Sequence, residues 1–415
     1  MSPRDDVLIV GGGAVGLACG LALVEAGRRV RVLEAGTAGC GSSHGNCGTI
    51  TPSHAAPLAA PGAIARALRW LFANDAPLRI APRFDPALWA WLAKFALRCN
   101  HRDWQHATRA RAAILQASRA AFPGWLADHG IECEFAATGI DYVYRDRAQF
   151  DAFEDEARML RELGLTLDQI DGPSALREEP ALREGVAGVV RFPGDARLRP
   201  DVYVAGMAAA FRAAGGTLEE QCEVLSAEET AQGVRVTTSR GDFAGRDLLL
   251  AAGAWSPGVA RGLRLRVPVQ PGKGYSMTYA RPASAPQRSM VLHERSVFVT
   301  VWDAGLRLGG TMEFAGYDRS LNRVRIDAIE QAAGEYLHLP PAPQRQDTWT
   351  GLRPVCVDDL PLIGAAPGHR HIWMATGHGM LGISMSVATA HLIRDLICGT
   401  PPGFDPAPFA PARFA

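Results

Sequence analysis

Four apolar residues, Val7-Leu-Ile-Val10, run straight into three consecutive glycines, and this junction restricts the fold more than any other feature of the chain. A short, bulky apolar run fits a strand buried on both faces of a parallel sheet. Gly11, Gly13 and Gly16 then have the spacing G-x-G-x-x-G. The first glycine of that pattern permits a tight turn, the second lets backbone approach a pyrophosphate, and the third lets helix pack on strand. Leu17 to Ala26 reads as a helix, stopped by Gly27. Arg29 to Leu33 reads as the next strand, with Glu34 at its end. An acid there accepts hydrogen bonds from an adenosine ribose and repels a 2′-phosphate, which disfavours NADP. Strand, glycine turn, helix and acid in this order form a far stronger signal than the glycines alone.

Residues 7 to 27 also have the apolarity of a membrane helix or signal peptide. Three glycines, the acids Asp5 and Asp6 ahead of the run, Glu25 inside it and a strand straight after it all favour the strand–turn–helix reading. No other stretch is long enough to span a bilayer. At 415 residues the chain has room for two domains. Lys plus Arg and Asp plus Glu both number 43, so no basic excess points to nucleic acid. The eight cysteines are scattered without C-x-x-C spacing or neighbouring histidines, so no metal site is expected. Such cysteines, in a chain read as having no secretion signal, suit reduced thiols and a cytoplasmic location.

A second glycine turn, Ala375-Thr-Gly-His-Gly-Met-Leu-Gly382, precedes a last helix running to about Cys398. A helix N-terminus offers free N–H groups and partial positive charge to an anion. Two such turns can grip the two ends of one long cofactor, which points to FAD and redox chemistry. Between them, Gly41-Ser-Ser-His-Gly-Asn-Cys-Gly48 continues into Thr49 and Ile50. The hydroxyls of Ser42 and Ser43 and the Asn46 amide could meet a pyrophosphate or a flavin edge, or form an ordinary polar loop.

Residues 56 to 135 are rich in Ala and Arg with helical periodicity, most clearly over Arg109 to Phe122. Trp70, Leu71 and Phe72, then Trp89, Trp91 and Phe95, form two aromatic clusters beside Arg66, Arg69, Arg79, Arg83 and Lys94. They read as a membrane-surface or quinone-facing patch, or as packing between helices, and packing is favoured. Asp141 to Arg145 reads as a strand, Gln149 to Leu163 and Pro200 to Ala214 as helices. Strands from Cys222, Gly233 and Asp247 would extend the sheet begun at Val7, placing Ala252 and Gly253 near the cofactor. Residues 268 to 344 change texture to alternating antiparallel strands with glycine turns, the floor of a second domain.

Trp349-Thr-Gly-Leu-Arg-Pro-Val-Cys-Val-Asp-Asp-Leu-Pro-Leu-Ile-Gly364, with Pro271-Gly-Lys-Gly-Tyr-Ser, Gly309-Gly-Thr-Met-Glu and Thr376-Gly-His-Gly-Met-Leu-Gly, resembles the D-amino-acid oxidase superfamily of FAD enzymes. Within it the D-amino-acid dehydrogenase small-subunit group, which includes D-proline and hydroxy-D-proline dehydrogenases, is nearest. Thr51 to Gly62 and Ala76-Pro-Leu-Arg-Ile are similar to that group's segments too. The last helix departs from it: Gly382-Ile-Ser-Met-Ser-Val-Ala-Thr-Ala stands where close relatives carry a Trp.

The resemblance implies an α/β plus α+β architecture, glutathione-reductase-like. A Rossmann-like FAD-binding domain would comprise residues 1–55, 199–267 and 345–415. A mostly antiparallel substrate domain would comprise 56–198 and 268–344. FAD would be non-covalent, because Gly351 stands where some relatives attach flavin through cysteine; Cys356 is close by and otherwise a buried thiol. The FAD contacts implied are Gly11, Gly13, Ala14, Val15, Gly16, Glu34, Ala35, Ser42, Ser43, Asn46, Gly48, Thr49, Ile50, Val224, Ala252, Gly253, Trp255 and Gly377 through Gly382, including Met380 and Leu381. Arg353 would bind the substrate carboxylate, since a planar guanidinium fixes a carboxylate bidentately. Tyr275, and less so Lys273, would be further carboxylate donors. His54 would face the pocket from the opposite side. His378 would either add to charge stabilisation near the flavin or make a structural hydrogen bond. The implied reaction oxidises a D-amino acid to its imino acid and passes electrons to a quinone; an oxygen-using glycine or sarcosine oxidase and a non-catalytic flavin-binding subunit are the alternatives. Peripheral membrane contact and a homo-oligomer are compatible with all three.

Overall fold

The structure is a computed structural model that describes residues 5–70, 76–340 and 344–415. Two sheets organise it. In the first, the strand Asp5–Val10 lies at the centre, parallel to Val30–Leu33 on one side and to Gly241–Leu250 on the other. Its residues Val7 to Val10 are all buried, as a strand covered on both faces requires. Thr217–Glu219 extends the sheet beyond Val30–Leu33, and Ile372–Thr376 lies parallel to the end of Gly241–Leu250. The hairpin of Val224–Thr230 and Gly233–Thr238, and Leu362–Ala365 antiparallel to Ile372–Thr376, complete it among the described residues. The helix after the first glycine turn spans Ala14–Glu25, starting three residues earlier than the apolar run suggests. Gly27 closes it at φ +79.

The second sheet has nine strands. Its spine is the antiparallel pairing of Val269–Ala280 with Arg345–Cys356, in register from Val269↔Cys356 to Thr278↔Asp347. Gly305–Phe314, Val297–Val301, Ser289–Leu292, Ile140–Tyr144, Gly188–Phe192 and Asp168–Asp171 follow in order, with Leu78–Ile80 along the end of Gly305–Phe314. Pairing is mostly antiparallel, with parallel exceptions at Ser289–Leu292 with Ile140–Tyr144 and at Leu78–Ile80. Because Arg345–Cys356 belongs to this sheet, the expected return to the nucleotide unit at residue 345 is misplaced. The strand's backbone is satisfied by Val269–Ala280, and the crossing comes after Cys356.

One face of this sheet packs on the helix Arg323–Tyr336: Tyr275, Met277, Tyr279, Leu308 and Val299 share a core with Ile326 and Ile329. The other face turns toward the nucleotide unit. The long helix His101–Asp128 contacts the last helix, Ser386–Cys398. The expected helix over 149–163 is two, Arg147–Ala152 and Glu154–Glu162. The aromatic segment on Pro86–Arg98 is split. Trp91 stacks on Phe95 with ring centroids 5.2 Å apart and donates to the Pro268 carbonyl, whereas Trp89 is 53% exposed. The other cluster lies outside the described residues in Leu71 and Phe72. All eight cysteines are free, and the described residues include no cluster able to hold a metal.

Candidate active site

The three motif glycines are not equivalent. Gly11 has φ +109, and a Cβ there would lie 2.5 Å from the Ala251 carbonyl. A Cβ on Gly16 would lie 1.9 Å from the Gly11 carbonyl. Both are fixed by the protein's own packing. Gly13 has φ −79 and ψ −178, which any residue adopts, and its Cβ would meet only Ser43 Oγ at 3.4 Å. Nothing in the polypeptide demands glycine there, so the bare backbone is left for a ligand, as a pyrophosphate cradle requires. Gly13 caps the helix, the Ala14 N–H donates to Ser43 Oγ at 3.1 Å, and Val15 follows. Glu34 sits at the expected place, its Oε2 accepting from the Gly12 N–H at 2.7 Å and Oε1 from the Gly36 N–H at 2.9 Å. Ala35 beside it is exposed. The Cys222 N–H donates to the Glu34 carbonyl, which brings Val224 to the same end of the sheet.

The loop after Gly41 is tied to the far end of the chain. Ser42 Oγ donates to the Leu352 carbonyl. Asn46 Nδ2 donates to the Met380 carbonyl at 3.1 Å, and Ser384 Oγ donates to the Thr49 carbonyl at 2.7 Å. Ile50 and Leu381 share one core. A Cβ on Gly382 would stand 4.0 Å from Val15 Cγ2, so the two glycine turns converge. Gly48 is explained by packing alone: at φ +69 its Cβ would lie 2.0 Å from the Leu198 carbonyl. Ala252 and Gly253 follow the strand Gly241–Leu250, and Thr376 Oγ1 donates to the Gly253 carbonyl at 3.2 Å, beside Gly377. Trp255 stands 40% exposed against Tyr317.

Two expectations for the second turn need correction. Gly382 does not open the last helix, which begins at Ser386. Gly377 and Gly379 have φ +80 and +56, and the turn folds back on the strand carrying Arg353, with the Gly379 N–H donating to the Pro354 carbonyl and the Leu381 N–H to the His378 carbonyl. Those two N–H groups are therefore already used. His378 is buried with Nε2 3.1 Å from Thr389 Oγ1, and burial pushes its pKa down to about 3. It is neutral and structural, with no charge to lend.

Strand alternation separates the expected carboxylate donors. Arg353 lies opposite Gly272, Gly351 opposite Gly274, and Trp349 opposite Ser276. These residues share the face toward the nucleotide unit. Tyr275 and Lys273 are odd-numbered neighbours and point the other way. Tyr275 is buried against Arg323–Tyr336, its hydroxyl donating to Glu313 at 2.6 Å; Lys273 pairs with Asp318 at 2.8 Å. Neither can join Arg353. The Arg353 guanidinium crosses Gly274, whose Cβ would lie 2.3 Å from Cζ, and donates to the Thr311 and Gly310 carbonyls at 2.5 and 3.5 Å. Among the described residues no carboxylate pairs with it. Burial lowers its pKa, with only nearby Cys47 acting the other way.

The same face holds residues that sequence reasoning missed. Trp349 lies across Gly351 and Gly45, where a Cβ would come within 1.9 and 2.0 Å of its ring. Cys47 Sγ occupies the space a side chain on Gly309 would fill. Arg307 is buried and clasps the loop through the His44 and Asn46 carbonyls, at 2.8 and 2.7 Å. Ser276, Gly309, Phe298, Val291 and Tyr142 continue the row from Trp349 across successive strands. His54 packs at its far end, its ring 5.7 Å from Phe298 and Nδ1 2.9 Å from Tyr142 Oη. Glycine inside a strand marks close approach, so Gly272, Gly274, Gly309 and Gly351 were the available signal.

The family model for FAD dependent oxidoreductases matches residues 6–396. The chain belongs to that family. The D-amino acid dehydrogenase of Paramagnetospirillum magneticum is 36% identical over 95% of each chain, and that of Xanthobacter autotrophicus 31% over 99% of each. Among solved structures, glycine oxidase from Geobacillus kaustophilus superposes with a TM-score of 0.81 at 24% identity, covering 98% of both chains. L-Proline dehydrogenase from P. horikoshii gives 0.77 at 17%, covering all of this chain and 98% of that one. These two likenesses confirm the two-domain FAD-binding fold. FAD is the cofactor, and the bare backbone at Gly13 with Glu34 behind it fits its nucleotide half. Gly351 offers no sulfur for covalent attachment, and Cys356 is buried, its thiol pushed well above the usual pKa.

Proposed function

We propose that this protein oxidises a D-amino acid to its imino acid, with D-proline and cis-4-hydroxy-D-proline as candidate substrates and a quinone-type acceptor for the electrons. The observation that carries the reading is Arg353. A guanidinium held, among the described residues, by backbone carbonyls and the Met312 sulfur, with no carboxylate partner, suits a small anionic ligand, and a carboxylate supplies the matching bidentate geometry. The names of the relatives, D-amino acid dehydrogenase, support the substrate class.

FAD, when bound, supplies the acceptor for the hydride leaving Cα. Arg353 fixes the carboxylate and so the direction in which Cα presents its hydrogen. Orientation of this kind carries much of the rate when no strong base is needed. Gly274 leaves the room that lets the guanidinium lie flat. Arg307 holds the His44–Asn46 backbone over the same face, and Trp349 and Phe298 line it with apolar surface that excludes water. The amine must be neutral when the hydride departs. The imine then hydrolyses in water to a 2-oxo acid, or persists where it is cyclic.

A quinone acceptor resides in a bilayer. Phe84 and Leu97 are 94% and 77% exposed, and Trp89, Leu68 and Ile64 are also exposed, apolar side chains that would suit peripheral membrane contact. The intervening strand Leu78–Ile80 pairs with Met312–Phe314, directly after the Arg353 carbonyl partners. No described helix is long and apolar enough to cross a membrane.

Arg353→Met tests the assignment. A charge-assisted hydrogen bond contributes about 1.5–3 kcal/mol, so losing two lowers kcat/KM by roughly two to four orders of magnitude. Anaerobic flavin bleaching by D-amino acids, with proline and hydroxyproline included, measures this at full flavin content. Near-normal kinetics in that variant sinks the carboxylate role. Peroxide formation under air, instead of reduction of a quinone analogue, would favour an oxidase.

A further inference from the structure

Behind the site runs a buried string of polar groups that substrate anchoring does not use. Asp195, almost wholly buried between Gly188–Phe192 and Ala196–Arg197, accepts from the Ser53 N–H at 3.2 Å and the Ser53 hydroxyl at 2.5 Å. Ser53 Oγ lies 3.1 Å from Tyr142 Oη, which lies 2.9 Å from His54 Nδ1. Counting protons sets the direction of every bond. Ser53 has one hydroxyl proton and gives it to Asp195. Tyr142 then donates to Ser53, and His54 donates from Nδ1 to Tyr142. His54 Nε2 is left with its lone pair. If Asp195 instead carries a proton and donates it, every bond reverses and His54 holds its proton on Nε2. One proton on a buried carboxylate thus selects the histidine tautomer.

The far end of this string reaches the substrate face. Arg353 extends across Gly274 to the carbonyls of Gly310 and Thr311. His54 packs on Phe298, which lies opposite Gly309 on the adjoining strand. The guanidinium therefore ends over Gly305–Phe314, and the imidazole lies farther along the same face, between Phe298 and Tyr142. An amino acid carries its carboxylate and its ammonium on one carbon, so a carboxylate held by Arg353 leaves the ammonium turned toward the remaining lining of that face.

We propose that Asp195, Ser53, Tyr142 and His54 form a proton relay that takes a proton from the ammonium group of the bound amino acid. The inference rests on the amino-acid reading of the site. The ammonium gives a proton to His54 Nε2; His54 Nδ1 gives one to Tyr142 Oη; Tyr142 gives one to Ser53 Oγ; Ser53 gives one to Asp195 Oδ2. The amine ends neutral with its lone pair free, Asp195 ends protonated, and the three groups between keep their proton counts. No electrons are transferred in this step.

The surroundings suit these roles. Burial pushes Asp195 up to about 7, so it accepts a proton near neutral pH, with Arg119 the opposing charge. Burial, Arg111 and His293 push His54 down to about 4, so the imidazole passes a proton on and does not keep it. Arg111 is itself paired with Asp359. Tyr142 is raised by burial and by Asp195, Tyr144 and Glu156, and stays a neutral conduit.

Tyr142→Phe in the FAD-loaded enzyme breaks the relay without removing either end. The expected result is a loss of about a hundredfold in the anaerobic bleaching rate at neutral pH. The rate should recover to near wild type at alkaline pH, where the free substrate amine is already neutral. An equal loss at every pH, with flavin retained, overturns the relay. A second readout needs no turnover. Nitrogen-15 NMR of labelled histidines, with His54 assigned by His54→Gln, should show its proton moving from Nδ1 to Nε2 as the pH falls through about 7. Ser53→Ala should abolish that switch, and a fixed tautomer in the wild type overturns the proposal. A wild-type flavin bleached by no amino acid would sink the substrate reading and the proposed proton donor with it. The tautomer measurement would still decide the string of bonds separately.

Discussion

Gly13→Val separates cofactor binding from folding. In the polypeptide alone the new Cβ meets one atom, Ser43 Oγ, at 3.4 Å, an ordinary contact. The backbone at φ −79, ψ −178 is extended, which a β-branched residue adopts readily. The remaining cost is a poorer helix cap, about 1 kcal/mol. The bound state is different, because the side chain projects into the space the backbone keeps open for the pyrophosphate. A hundredfold weaker affinity removes about 2.3 of the roughly 2.7 kcal/mol of ligand-derived stability when FAD is supplied at about a hundred times the original Kd. Melting curves with and without added FAD, beside the flavin-to-protein absorbance ratio, measure both quantities. Without FAD the variant should melt close to wild type, and the increment on adding FAD should fall to about 0.4 kcal/mol. A yellow, fully loaded variant, or one already unfolded without FAD, would refute the reasoning. Gly16→Val is the contrast, since its Cβ would lie 1.9 Å from the Gly11 carbonyl whether or not FAD is bound.

Tyr275→Phe should leave KM for the amino acid unchanged while costing about 1.5–3 kcal/mol of stability, because its hydroxyl serves buried Glu313 on the far face of the sheet; a raised KM at unchanged stability would contradict the strand register. His378 titrates at about 3 when folded, below its ordinary 6.5, so the unfolded chain binds the extra proton first. Its contribution to stability is complete above about pH 6.5 and declines as the pH falls toward 3. His378→Gln should flatten that acid slope in melting temperature against pH, and an unchanged slope would show that the ring is not buried in its neutral form.

The nucleotide unit was the legible half of the molecule because its signals are local. Strand, turn and helix over residues 7–27 are contiguous, and each residue's role follows from its neighbours. Even there, Gly11, Gly13 and Gly16 look identical in sequence, and only the contacts of absent Cβ atoms show that Gly13 alone is free of the protein's own packing. On the second sheet the sequence pointed to Arg353 and not to the side chains that share its face. Tyr275 stands close to Arg353 in the pairing of Val269–Ala280 with Arg345–Cys356, yet a one-residue offset sends it through the sheet. Tyr142 and Asp195 carry no motif, because their roles come from strand pairing between segments far apart in the chain. The last helix was expected near Gly382 because small residues resemble a helix start, but positive φ at Gly377 and Gly379 turns the chain back first.

That reversal explains why anchor and cofactor turn come from one stretch of sequence. Arg353 lies in a strand satisfied by the second sheet through Cys356. Within two residues of the guanidinium, the same strand bridges the other unit: Val355 pairs with His378, and the Pro354 carbonyl accepts the Gly379 N–H. The loop from the opposite end of the chain is held to both. Ser42 bonds the Leu352 carbonyl, Asn46 bonds the Met380 carbonyl, and Arg307 grips the His44 and Asn46 carbonyls from the sheet below. A shift of the second turn relative to Arg353 would break backbone bonds in a buried region, each costly to leave unmade. The placement of Arg353 relative to the second turn is thus set by backbone pairing and not by the side chains around it.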